Sequence, residues 1–223
     1  MTTGCWALVP VKTRGLCKSR LAGRLAAESR LILVRSMLER ALAALRDSRY
    51  VDRIAVVSPE RDTVPADILV LSDPGGGLNP ALEAGRAELL QLGATELVVL
   101  PADLPFVTAA EIDRLVDSGR RGGFALATDA AGTGTNALYV RPPVPFRFQF
   151  GPGSRFLHMD EAARVGLAGE LLHVGGLEFD VDGPSDLGEL LARDLPRYRS
   201  LPLRAPEGVV PAPLPVAGEA GTG

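Results

Sequence analysis

Residues 96–105 read Glu-Leu-Val-Val-Leu-Pro-Ala-Asp-Leu-Pro (ELVVLPADLP), and the fold follows from how they are read. Four apolar residues in a row, with no polar alternation, describe a strand covered on both faces, as in a parallel sheet with helices on either side. Asp103 stands at the tip of this strand, between Pro101 and Pro105, whose rings restrict the backbone around it. The next helix is expected over residues 109–118, with Thr108 as its cap and Glu111 completing a capping box. Asp103 therefore lies too early to cap that helix and is a candidate ligand residue.

Working outward, strands are predicted at 6–11, 53–58, 68–71, 124–128 and 137–140, with shorter ones at 171–174 and 177–179. Helical spacing of apolar residues covers 21–46, 79–92 and 154–165, and Pro184 suits the first turn of a helix over 184–193. Residues 141–153 carry four prolines and read as irregular. This alternation predicts a three-layer α/β/α fold with a mostly parallel mixed sheet, as one domain over residues 1–204. The Pro-, Ala-, Gly- and Val-rich residues 205–223 are expected to be a disordered tail.

Composition narrows the function. With 46% hydrophobic residues, 23% charged residues and a formal net charge of -3, the chain has no basic footprint for nucleic acid or anionic lipid. No apolar run approaches the roughly 20 residues needed to span a bilayer, and the N-terminus lacks a signal-peptide pattern, so a cytoplasmic location is expected. Cys5 and Cys17 form no metal-ligand spacing. Of the 24 lysine and arginine residues, only Lys12 and Lys18 are lysine, both within seven residues of one loop. A chain that otherwise uses arginine has kept a compact point charge where a planar fork would not serve.

In such sheets ligands bind at the carboxyl ends of strands. The loop after the first strand holds Lys12, Gly15, Lys18 and Arg20, a setting for phosphate, although the Gly-Lys-Ser/Thr step of the P-loop is absent. Asp103 ends the central strand, and Phe179-Asp180-Val181-Asp182-Gly183-Pro184 places Asp180 and Asp182 on one face if extended. Three carboxylates beside a lysine loop suit a divalent cation such as Mg²⁺, with no organic cofactor and no Ser/His/Asp constellation. Asn79, at a helix start after the Gly75-Gly76-Gly77 run, is either a nucleotide contact or an N-cap. The turns Thr133-Gly134-Thr135-Asn136 and Phe150-Gly151-Pro152-Gly153-Ser154 offer N–H and hydroxyl groups to a second anion, with His158 one helical turn beyond Ser154. Together these features suggest phosphoryl or nucleotidyl transfer.

The ordered series VPVK, KSRLA, GGLN, LPADLP, GTNAL, FGPGS with His158, and DVDGPSDL resembles the 2-phospho-L-lactate guanylyltransferase family, whose bacterial members include phosphoenolpyruvate guanylyltransferases. The resemblance implies a nucleotide-diphospho-sugar-transferase type of fold. It further implies GTP and Mg²⁺, transfer of GMP to phosphoenolpyruvate or 2-phospho-L-lactate with loss of pyrophosphate, and a place in coenzyme F(420) biosynthesis. On that pattern Asp103 and Asp180 hold the metal, with Asp182 beside them. Thr135, Gly151 and Ser154 bind the acid, and Lys12, Lys18 and Arg20 hold the triphosphate. The resemblance leaves room for a homodimer and for hand-off to the next enzyme. The chain departs from the pattern at Arg155-Phe156-Leu157 and in its Pro-rich stretch before Phe150, so the acid stays open. The alternatives are another nucleotidyltransferase of the same fold, making a nucleotide sugar or a molybdenum cofactor, and a non-catalytic nucleotide-binding regulator.

Overall fold

The computed structural model describes residues 4–11, 18–142, 144–198 and 201–203. Among these, seven strands form one sheet in the order β3-β2-β1-β4-β6-β5-β7. They are β1 (Gly4–Pro10), β2 (Arg53–Ser58), β3 (Leu69–Ser72), β4 (Ala94–Val99), β5 (Gly123–Thr128), β6 (Thr135–Val140) and β7 (Ala168–Leu172). Pairing is parallel except at β6, which runs antiparallel to both β4 and β5.

Strand alternation builds the two sides of the core. Along β1, Cys5, Ala7 and Val9 face one side and Trp6 and Leu8 the other; along β4, Val98 and Leu97 with Val99 divide in the same way. On the first side lie α1 (Ala27–Arg46) and α3 (Ala109–Gly122), through Leu38, Leu42, Ile112 and Leu115. On the second lie α2 (Leu78–Gln91) and α4 (Ser154–Arg164), through Leu82, Leu89 and Ala162. The three-layer arrangement expected from the apolar run in ELVVL is the one observed.

Local signals hold at several boundaries. Thr108 caps α3 in a reciprocal box with Glu111, and Gly123 closes it in the left-handed conformation at φ 89°. The C-terminal segment contains the short helix α5 (Gly175–Glu178), α6 (Pro184–Arg193), which begins with Pro184 as expected, and the single turn α7 (Leu195–Tyr198).

One expected strand is absent. Residues 177–179, read as extended from Leu177 and Phe179, instead run through α5 into an unpaired segment. Leu177 and Glu178 donate their N–H groups to the Val174 carbonyl, and Gly176 N–H donates to Glu111 of α3 at 2.7 Å. A side chain at residue 176 would strike the Phe106 carbonyl oxygen, so glycine lets the turn seat against α3. The N-terminal part of the expected helix over 21–46 is likewise a short turn, with α1 starting only at Ala27.

A third apolar cluster positions the site. Leu21, Leu25, Leu33 and Met37 pack with Phe179, Val181, Leu187 and Leu190, tying the segment after β1 to the C-terminal stretch. Burying Val181 completely, worth about 1.5–3 kcal/mol, leaves Asp180 and Asp182 on the opposite side of the extended chain. The tail from residue 205, and with it the outer limit of the expected domain, lies outside the described residues.

Candidate active site

A cavity of about 610 Å³ opens at the carboxyl ends of β1 and β4 and reaches the N-terminal ends of β6 and α4. Its walls carry Lys18, Asp103, Asp180 and Asp182 at one end and Thr135 and Ser154 at the other.

At the first end Lys18 is the hub. It adopts φ 50°, the one left-handed non-glycine residue among those described, immediately before the turn Ser19–Leu21. Its Nζ lies 2.7 Å from Asp103 Oδ2 and 2.8 Å from Asp182 Oδ1, and the side chain is 10% exposed. Burial disfavours the ammonium, but the two carboxylates outweigh it and raise its pKa above the usual lysine value. Arg20 is largely exposed, with its guanidinium 3.8 Å from Asp182.

The three acids sit in different environments. Asp103 follows β4, and its carbonyl accepts from Val181 N–H at 3.2 Å, linking the two acidic segments. Phe106 and Phe179 pack at 5.1 Å, and the Arg193 guanidinium lies 4.0 Å from the Phe106 ring centroid, clamping the same segments from behind. Asp180 is pushed up to about 6 by burial first and then by the Asp103 charge, although Asn136 Nδ2 donates to its Oδ1 at 3.2 Å. Asp186 accepts from the N–H groups of Asp182 and Gly183 at 2.9 and 2.7 Å, fixing the turn into α6.

Asp103, Asp180 and Asp182, the residues expected to serve a metal, all line this end of the cavity. No group of three His, Cys, Asp or Glu side chains among the described residues is arranged to enclose an ion. The reason is Lys18, whose ammonium holds Asp103 and Asp182. A hard cation needs fewer protein ligands, because Mg²⁺ binds through one or two carboxylates completed by substrate phosphates and water. Three carboxylates around one buried ammonium are a donor set with negative charge to spare for such an ion.

The other end carries hydroxyls and backbone groups beside one carboxylate, Asp129. Ser154 opens α4 and is 2% exposed, yet its hydroxyl has no hydrogen-bond partner among the described residues. The first N–H groups of α4 are already used: Ser154 donates to the Gly151 carbonyl, Arg155 to Thr133 and Phe156 to Gly153. Gly151 lies at φ 141°, where other residues are strained, while the space a side chain would fill is open. Asp129 Oδ1 accepts from the N–H groups of Thr133 and Gly134 at 2.8 and 2.9 Å, shaping the turn into β6.

Two expected ligand residues are placed differently. Asn79 gives both polar atoms to the Phe150 backbone: Nδ2 donates to its carbonyl at 3.0 Å and Oδ1 accepts from its N–H at 2.8 Å. It thereby staples α2 to the FGPGS turn, using one of its two N–H groups and one of its two oxygen lone pairs. His158 is completely buried behind Thr135 and does not line the cavity. Lys12 and Cys17 lie outside the described residues. Sequence reading missed Asn136 and Asp129; the Asp-Ala-Ala-Gly-Thr-Gly run from Asp129 was a readable turn signal, and the amide ending Thr133–Asn136 was not.

The family model for proteins described as "Guanylyl transferase CofC like" matches residues 5–198. The chain belongs to this family. Among its relatives, the phosphoenolpyruvate guanylyltransferase of Sphaerobacter thermophilus is 44% identical over 188 residues, covering 82% of this chain and 91% of that protein. That of Rubrobacter xylanophilus is 40% identical over 199 residues, covering 87% and 97%. Solved structures share the fold at low identity. One described as a nucleotide-diphospho-sugar transferase from Desulfovibrio desulfuricans has a TM-score of 0.67 at 14% identity, covering 89% of this chain and 98% of its own. The Mycobacterium tuberculosis protein Rv0371c in complex with manganese has a TM-score of 0.52 at 22% identity, covering 86% and 100%. The protein is accordingly an enzyme, a guanylyltransferase on the nucleotide-diphospho-sugar-transferase fold. No helix among the described residues is long and apolar enough to cross a membrane.

Proposed function

We propose that this guanylyltransferase transfers GMP from GTP to phosphoenolpyruvate, in the cytoplasm and as a step of coenzyme F(420) biosynthesis. The observation that carries this reading is one cavity with a lysine–carboxylate end and an end lined by the Thr135 and Ser154 hydroxyls. Two anions with different demands are thereby accommodated side by side. The names of the relatives support the nucleotide and the acid.

An oxygen of the phosphoenolpyruvate phosphate attacks the α-phosphorus of GTP. A phosphorus–oxygen bond forms there as the bond to pyrophosphate breaks, and the acid leaves joined to guanosine through a diphosphate. The attacking phosphate is already ionised at neutral pH, so no protein base is required. Lys18 and Arg20 face the triphosphate, with Asp103 and Asp182 holding the Lys18 ammonium at the cavity wall. Asp103 and Asp180 would hold Mg²⁺, which when bound supplies positive charge to the phosphates as pyrophosphate departs. Thr135, Gly151 and Ser154 receive the acid, aligning its phosphate for attack.

Product analysis by mass spectrometry tests the acceptor, with GTP offered phosphoenolpyruvate, 2-phospho-L-lactate, 3-phosphoglycerate and a hexose phosphate in parallel. Phosphoenolpyruvate is expected to be guanylylated fastest. Conversion of the hexose phosphate with none of the acids would overturn the proposal.

A further inference from the structure

We infer that His158 is a positioning residue for the acceptor: as the Nδ1-protonated neutral imidazole, it holds the Thr135 hydroxyl so that the hydroxyl hydrogen points into the cavity. This rests on the reading of Thr135 as part of the acceptor site.

The assignment comes from the donors and acceptors around the ring. The Gln149 backbone N–H lies 2.8 Å from His158 Nε2, and a backbone N–H can only donate. Nε2 must therefore offer a lone pair, which places the ring proton on Nδ1. Nδ1 is 3.0 Å from Thr135 Oγ1, so the hydroxyl oxygen accepts there. Thr135 Oγ1 has no other partner among the described residues, and its own hydrogen remains for a ligand.

The surroundings fix this arrangement. The ring is completely buried, stacked near Phe146 at 5.9 Å and meeting the edge of Phe150 at 4.8 Å, so it can neither rotate freely nor reach water. Burial pushes its pKa down to about 4 against the weak pull of Glu161, which Arg164 and the Arg147 N–H already engage. A charged imidazolium would set two donors against each other at Gln149. Phe150 is itself stapled by Asn79, and Gln149 and Phe150 lead directly into Gly151. One histidine thus locks the FGPGS turn through Gln149 and the start of β6 through Thr135, the two walls between which the acid would sit. With the Ser154 hydroxyl, the oriented Thr135 hydroxyl gives a pair of neutral donors suited to the oxygens of a phosphate or carboxylate.

The test combines spectroscopy with kinetics. Nitrogen-15 NMR of the wild-type enzyme labelled at histidine should show Nδ1 protonated and Nε2 not, between about pH 6 and pH 8. His158→Leu is expected to raise KM for phosphoenolpyruvate by about tenfold, the worth of one oriented hydrogen bond, with KM for GTP nearly unchanged. His158→Asn, whose Nδ2 overlies the donor position, should recover most of that loss. Combining His158→Leu with Thr135→Val should cost clearly less than the two separate losses together, because the Thr135 contact is lost only once and only the Gln149 contact is additional. An Nε2-protonated or charged ring, or fully additive effects of the two substitutions, would overturn the inference. If the wild type turns over no three-carbon acid while the NMR result stands, the acceptor reading fails; if it turns over phosphoenolpyruvate with Nε2 protonated, only this inference fails.

Discussion

In the proposed reading the two ends of the cavity hold their anions by different means. The end near β1 and β4 uses full charges on loops that remain partly open to solvent, with Asp103 29% and Asp182 52% exposed. The end near α4 uses hydroxyls on residues that are almost entirely buried, oriented by a neutral histidine and by a turn stapled to α2. Charge acts over distance and tolerates rearrangement, so the first end suits a flexible triphosphate and its cation. Oriented dipoles act only at contact, so the second end suits a small rigid acid whose phosphate must be aimed.

That contrast can be broken first at its charged end. Asp103→Asn and Asp180→Asn should each reduce turnover by at least about 10², since each removes a carboxylate proposed to hold the charge-compensating metal. Steady-state kinetics with circular dichroism as a fold check would measure this, and near-normal turnover in either variant would exclude that residue as an essential ligand.

Lys18→Arg should come next, with activity lowered by about tenfold although the charge is kept. A planar fork cannot place one nitrogen between Asp103 and Asp182 from the same left-handed backbone position, and a small misplacement of a charged contact is costly. Wild-type kinetics for Lys18→Arg would show that any cation suffices there.

The hydroxyl-lined end is sharpened by Asn79→Ala, which strands the Phe150 N–H and carbonyl. A stability loss of about 1–3 kcal/mol in denaturant titration is expected, from a partly buried donor and acceptor left unpaired. A variant as stable as the wild type, with a raised KM for GTP alone, would return Asn79 to the nucleotide.

Much of this was legible because local rules and the fold agree. The run ELVVL requires two covered faces, Thr108 and Glu111 box the start of α3, and Pro184 opens α6, each from contacts within a few residues. The strand order and the antiparallel β6 are long-range pairings that no short pattern announces. Leu177 and Phe179 misled because apolar residues two apart fit a strand, whereas Gly176 seats a helical turn on Glu111. In the site, the residue types were readable but their partners were not. Lys18 meets carboxylates 85 and 164 positions away, and His158 meets Thr135 and Gln149, so the sequence named both residues while their partners come from long-range folding.

The division of the cavity into two chemically different ends is tested most directly by Ser154→Ala, because the Ser154 hydroxyl has no hydrogen-bond partner to lose among the described residues. KM would be measured separately for phosphoenolpyruvate and for GTP. A rise of about tenfold for the acid, with the GTP value within about twofold of wild type, is the expected result. Equal rises for both substrates, or a rise for GTP alone, would contradict the account.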